Sequence, residues 1–256
     1  IEARLSGRED VSRIVLPEEP RKDLDARREA LYDADVAILC LPDDAAREAV
    51  ALIANERTRV IDASTAHRVT DGWSYGFHEI TPGGREQLAG AKRVSNPGCY
   101  PTGFLALVKP LVAAGLIRAD WPMTVNAVSG YSGGGKAMIA EFEQGGTDTA
   151  WRTYGLNLAH KHVPEMQHHA GLSLPPLFAP SVAATYRGMI VEVPLQLAAM
   201  AGTPSPDALR EVLETHYAGS KIVRVMPAET PAGLTLEHAA GTDRVDLFLF
   251  ASPDGG

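Results

Sequence analysis

Asp35-Val36-Ala37-Ile38-Leu39-Cys40-Leu41-Pro42-Asp43-Asp44-Ala45-Ala46-Arg47-Glu48-Ala49-Val50 carries the grammar of the first half of this chain. Asp35 to Leu41 is a continuous apolar run of strand length, and Pro42 to Val50 reads as a capped helix. Thr58-Arg59-Val60-Ile61-Asp62-Ala63-Ser64 is a second short strand with a buried pattern. Strand, helix and strand in this order predict βαβ units and a parallel sheet covered on both faces. On that pattern Cys40, inside an apolar strand, is a core residue.

Toward the N-terminus, Ile1 to Leu5 has helical spacing and runs into Ser6-Gly7, so the chain starts inside a helix. Val11 to Leu16 reads as a strand. Arg21-Lys22 follows it, where doubly wound sheets read the 2′-substituent of a dinucleotide, although a charged helix start at the surface explains the pair more simply. Such domains begin with a strand, a glycine-rich turn and a helix that receives the pyrophosphate. Gly7 stands alone, so the first βα unit is expected to be missing from this sequence. Leu41-Pro42 lies at the carboxyl end of a strand, where these sheets meet their ligands.

The grammar changes after residue 98. Cys99 to Leu116 reads as a helix with an apolar stripe of Leu105, Leu107, Val108, Leu111 and Val112, kinked by Pro110. Strands are expected over Met123 to Val128, Trp151 to Leu158, Arg187 to Leu197, Lys221 to Val225 and Val245 to Phe250. One helix, Pro206 to Tyr217, opens on Ser205 as a cap. The fold class is therefore α/β. Residues 1–98 form an incomplete Rossmann-like parallel-sheet domain, and residues 99–256 an α+β domain on a largely antiparallel sheet.

Composition narrows the function classes. The 256 residues are 45% apolar and 22% charged, as in an ordinary globular protein. The net charge of −8 argues against a role in coating nucleic acid. Two cysteines make no disulfide framework, which fits a reducing cytoplasm. No apolar run approaches the roughly 18 to 20 residues needed to cross a bilayer, and no secretory signal opens the chain.

Cys99 follows Pro97-Gly98 at a helix start, with Pro101 in the first turn where a missing N–H costs little. The exposed N–H groups and the positive end of the helix dipole favour thiolate over thiol, which a nucleophile needs. A buried structural cysteine is the competing reading. His160 and His162, two residues apart, project on one face of an extended segment and suit proton transfer near neutrality. His168-His169 reads as a solvated helix face. Arg68 has the fixed charge and planar donors that grip phosphate or carboxylate, and an exposed loop arginine is its plainer reading. Gly133-Gly134-Gly135 permits close backbone approach to a ligand, though glycine triplets are most often flexible turns. No metal site is expected.

Asn96-Pro97-Gly98-Cys99-Tyr100-Pro101-Thr102 resembles the active-site signature of the N-acetyl-gamma-glutamyl-phosphate reductases. Val60 to Arg68, Tyr75 to Glu79, Ser129 to Lys136 and His160 to Glu165 resemble the family's other blocks, in order, in its shorter second type. The resemblance covers essentially the whole chain. It implies NADPH-dependent conversion of N-acetyl-glutamyl 5-phosphate to the 5-semialdehyde in arginine biosynthesis, through a thioester on Cys99. It further implies that His162, then His160, supplies acid/base catalysis, that Arg68, Glu165 and Asn96 contact substrate, and that Ser64, Pro42, Gly133, Gly134 and Gly135 lie by NADP(H). A homo-oligomer, dimer or tetramer, is expected, paired through residues 99–256.

The chain departs from the family in lacking the glycine-rich turn and, after Asp254-Gly255-Gly256, the C-terminal segment, so weak NADPH binding is expected. Two alternatives remain: an aspartate-semialdehyde dehydrogenase, against which the Asn96 to Pro101 block argues, and a catalytically inactive scaffold.

Overall fold

The structure is a computed structural model that describes residues 1–229 and 231–252; Asp254-Gly255-Gly256 lies outside them. The chain packs as two compact units, Ile1–Gly76 with Leu88–Asn96, and Phe77–Gln87 with the chain from Pro97 onward. Among the described residues, no helix is long and apolar enough to cross a membrane.

The first unit opens with a short helix α1 (Glu2–Leu5) and an irregular stretch, then α2 (Leu24–Asp33), capped where Asp23 accepts the Ala26 N–H at 2.7 Å. Next come β1 (Val36–Leu39), α3 (Asp43–Ala51), β2 (Arg59–Asp62) and β3 (Ser74–Tyr75). After α4 (Gly84–Gly90), β4 (Arg93–Ser95) completes a four-stranded parallel sheet in the order β1-β2-β4-β3.

Three expectations fail in this unit. Val11–Leu16 forms no strand: the sheet ends at β1, and Ile14 and Val15 are exposed. A β-branched run becomes a strand only where a neighbour takes up its N–H and C=O groups. Arg21-Lys22 follows no strand; as its simpler reading has it, the pair is exposed in a short helical turn, Pro20–Lys22, just ahead of α2, with the Arg21 guanidinium donating to the Leu16 carbonyl at 3.0 Å. The sheet is also covered unevenly. Ala37, Leu39 and Val60 pack with Ala49 and Ile53, while Val36, Ile38 and Ile61, on alternate positions, are exposed. Strand alternation thus divides the apolar run between two faces, and Cys40, one step beyond Leu39, is exposed rather than core.

The second unit is organised around α5 (Cys99–Ala113), which starts at Cys99 as its spacing predicts. β5 (Thr124–Gly130) leads through a 3-10 turn into α6 (Gly135–Glu143), followed by β6 (Trp151–Thr153), α7 (Val163–Ala170), β7 (Leu177–Ala183) and β8 (Met189–Glu192). α8 (Pro206–His216), β9 (Val223–Val225) and β10 (Val245–Leu247) follow, with the Ser205 hydroxyl accepting the Ala208 N–H at 3.1 Å as a cap. The main sheet runs β6-β7-β5-β8. It is mixed: β6 and β8 pair antiparallel, and the long central pair β5 and β7 is parallel. β9 and β10 form a separate parallel pair.

α5 packs against α7, α8 and β8, burying Phe104, Leu105 and Val108 completely. Gly103 permits this approach: a Cβ there would meet the Val191 side chain at 2.8 Å, and a branched side chain has little room to swing away. Pro110 lies inside the helix without ending it. Proline gives no N–H to the carbonyl four residues back, that of Ala106. The buried Tyr217 hydroxyl donates to that carbonyl at 2.8 Å instead.

Candidate active site

The chemistry-bearing residues of the second unit gather at the start of α5. Gly98 is its N-cap and supplies no side chain, and no acidic residue lies in the first turn. The intrahelical ladder starts where the Thr102 N–H donates to the Gly98 carbonyl at 3.0 Å. The N–H groups of Cys99 and Tyr100 therefore lie outside that ladder, and Pro101 has none. Cys99, the first helical residue, is exposed.

The His160 to Glu165 block arrives from 67 residues away in sequence: Gly98 N–H donates to Glu165 Oε1 at 2.7 Å. Glu165 is only 2% exposed and lies in the first turn of α7. Its carboxylate thus joins the starts of two helices. His162, 5% exposed, is the N-cap of α7 by backbone, its carbonyl accepting from Met166 N–H at 3.0 Å.

His160 and His162 lie edge to face, with ring centroids 4.7 Å apart. The His162 backbone N–H donates to His160 Nδ1 at 3.2 Å. An amide can only donate, so Nδ1 is the unprotonated nitrogen and the neutral ring carries its proton on Nε2. Burial, then the Lys161 charge, lowers the His160 pKa and so favours the neutral ring.

Tyr100 was not singled out on the sequence, yet it holds the arrangement from below. Its ring lies 6.2 Å from His160 and 6.0 Å from His162. Its hydroxyl lies 2.8 Å from Ser129 Oγ, 3.1 Å from the Ser181 carbonyl and 3.0 Å from the Tyr154 hydroxyl. Its place beside Cys99, a polar-tipped ring in a largely apolar helix, was the available signal.

The remaining candidates fall in two other places. In the first unit, Leu39, Asp62 and Ser95 stand in register, so the loops after β1, β2 and β4 leave one carboxyl edge. Ser64, Arg68 and Asn96 meet there: Arg68 Nε donates to the Asn96 carbonyl at 3.0 Å and Nη2 to the Ala63 carbonyl at 3.1 Å. Ser64 Oγ donates to Asp62 Oδ2 at 2.7 Å and accepts from Ala66 N–H at 3.1 Å, which commits its hydroxyl to the turn. His67 Nδ1 donates to the same Asp62 oxygen at 2.6 Å, and its ring stacks on Trp73 at 4.0 Å. Asp62 and His67 escaped the sequence reading, although a buried aspartate ending an apolar strand was a visible anomaly.

Pro42 and Leu41 are exposed on this edge and present an apolar shelf suited to a ring system. The start of α3 beside them carries Asp43 and Asp44 and so disfavours an anion. Gly133, Gly134 and Gly135 are exposed in the second unit, where they form the turn into α6.

Residues 9–91 match the family described as semialdehyde dehydrogenase, NAD binding domain, and residues 99–256 match the semialdehyde dehydrogenase, dimerisation domain. The whole chain is 51% identical to N-acetyl-gamma-glutamyl-phosphate reductase 2 of Pseudomonas putida, covering 83% of that protein. The chain belongs to the N-acetyl-gamma-glutamyl-phosphate reductase family. A second family member, N-acetyl-gamma-glutamyl-phosphate reductase of Brucella suis, is 50% identical over the whole chain, which covers 85% of it.

Solved structures place this reductase family on a known scaffold. Aspartate semialdehyde dehydrogenase II of Vibrio cholerae superposes with a TM-score of 0.59 at 16% identity, over 85% of this chain and 70% of that one. A probable aspartate-semialdehyde dehydrogenase of Pseudomonas aeruginosa gives 0.60 at 16% identity, over 87% and 71%. At that identity the likeness shows the fold.

Proposed function

We propose that this chain catalyses the reductive dephosphorylation of N-acetyl-L-glutamyl 5-phosphate to N-acetyl-L-glutamate 5-semialdehyde, with NADP(H) as cofactor and a Cys99 thioester as the covalent intermediate. One observation carries the reading. The Gly98 N–H to Glu165 bond draws the two histidines to the helix start that bears an exposed thiol.

The Cys99 thiolate attacks the acyl carbon, forming a C–S bond and a tetrahedral oxyanion, whose collapse expels phosphate with the electron pair of the broken C–O bond. The α5 start favours the thiolate, and the outward N–H groups of the first turn stabilise the oxyanion. His160 Nε2–H is a second donor for that oxygen. The defined tautomer and partial exposure of His160 support giving it the contact with substrate, ahead of the more deeply buried His162. When bound, the nicotinamide supplies the hydride that takes the acyl group to the aldehyde level. Leu41 and Pro42 would flank its ring system, and Ser64 would act through the turn it fixes. Breaking the C–S bond then releases aldehyde and restores the thiolate. Arg68 and Asn96 are assigned to the substrate's anionic groups.

The same reading has residues 99–256 pair with a second copy. Strand register supports a face for this: exposed Trp151 and Leu177 share one side of the main sheet with Ile190. Light scattering that found only monomer would remove this part.

The decisive assay is the reverse reaction, phosphate-dependent reduction of NADP or NAD with N-acetylglutamate semialdehyde. Turnover with NADP above NAD, lost on the order of a thousandfold in Cys99→Ser, is the expected result. Normal turnover by the serine variant would refute the mechanism.

A further inference from the structure

His160 sits in an aromatic enclosure. Phe178 is 5.1 Å away by ring centroid, Tyr154 is 5.9 Å, and Tyr100 and His162 flank the ring at 6.2 and 4.7 Å, leaving it partly exposed. The backbone beyond Tyr154 passes beside the imidazole at Gly155, where φ is +64° and a Cβ would stand 3.8 Å from His160 Cδ2. Two of these walls are tied together, because the Tyr154 hydroxyl donates to the Tyr100 hydroxyl at 3.0 Å.

Proton counting makes this tie directional. Tyr100 has one proton, and the Ser181 carbonyl can only accept, whereas Ser129 can donate or accept. Every group is satisfied when Tyr100 donates to Ser181 and accepts from both Ser129 and Tyr154. Burial pushes both phenols up, and a thiolate at Cys99 acts in the same direction on each. Neither ionises in the range of thiol chemistry, so their contribution is geometric.

We propose that Tyr154 is a positioning residue: its hydroxyl bond to Tyr100 closes the enclosure that fixes the His160 imidazole relative to Cys99. The proposal rests on the thioester reading, and the test separates the two. Wild-type, Tyr154→Phe and Ser129→Ala chains are alkylated with iodoacetamide across neutral pH, and peptide mass spectrometry reads Cys99 against Cys40, the exposed reference thiol in the same molecule. The imidazole signals of His160 and His162 are followed by NMR.

Tyr154→Phe keeps the ring and removes one hydrogen bond. It should lower the Cys99 to Cys40 rate ratio about fivefold, move the Cys99 pH midpoint upward and shift the His160 signals, leaving His168 unmoved. Ser129→Ala removes the opposite bond to Tyr100 and should shift His160 less; an equal or larger shift would mean general loosening and overturn the proposal. A Tyr154→Phe profile superimposed on wild type, with His160 unmoved, overturns it also. If wild-type Cys99 reacts no faster than Cys40, the nucleophile reading fails, and the His160 shifts alone then decide for or against Tyr154.

Discussion

The starts of α3 and α5 are built alike in sequence, each a strand end, a short linker with proline and then a helix, with an exposed cysteine nearby in both. They differ in what meets the helix dipole. α3 carries Asp43 and Asp44 in its own first turn, and the Asp43 carboxylate accepts from both the N–H and the hydroxyl of Thr65. α5 has no acid of its own in its first turn, and Glu165 of α7 accepts the Gly98 N–H there. Both cysteines are exposed, so exposure does not tell them apart. Cys40 lies outside its helix, ahead of a first turn that carries two carboxylates, whereas Cys99 is itself the first residue of α5 and sits at that helix start.

The largest expected effect tests that contrast directly. At neutral pH Cys99 should alkylate at least about tenfold faster than Cys40, with the difference persisting below the free-thiol pKa of roughly 8.5. Equal rates would dissolve the comparison. Next in size is Glu165→Ala, which leaves a buried Gly98 amide unsatisfied and should cost about 1–3 kcal/mol by urea unfolding while slowing Cys99 alkylation. Asp43→Ala removes the acceptor of the Thr65 N–H and hydroxyl and should cost about 1 kcal/mol, leaving Cys99 alkylation unchanged. If both variants slowed Cys99 equally, the two helix starts would not be independent.

The smallest effect concerns pH. Burial and Lys161 lower the folded pKa of His160 below its ordinary value, so the unfolded chain takes up that proton at higher pH than the folded one. This contribution to stability is intact above about pH 6.5 and is lost as pH falls through the folded value. Urea midpoints at about pH 7.5 and about pH 5.5 should differ more for wild type than for His160→Gln. The reverse order would refute the assignment.

The sequence was most legible where local chemistry decides structure. Proline and glycine ahead of Cys99 place the start of α5, and Ser205 places the start of α8. It was least legible where a neighbour decides. Val11–Leu16 has strand residues but no ladder to join, and Leu177–Ala183 becomes a central strand despite Pro180, which has no N–H for the ladder. Helix α6 went unread and α7 was read only at His168-His169, which do lie on it, since the apolar spacing of both is weak and α7 is fixed largely by the buried Glu165 and Met166. The candidate site divided the same way. Cys99 and the histidine pair were visible as motifs, while Tyr100 and Tyr154 matter through hydroxyl bonds that no spacing rule exposes.

The bond from Tyr217 to Ala106 spans 111 positions of sequence. As the chain leaves the ribosome, the helix bearing Cys99 emerges long before the tyrosine that answers its proline gap. Until Tyr217 follows, the Ala106 carbonyl has only water to bond, so the part of α5 around Pro110 gains its support after the residues that begin the helix.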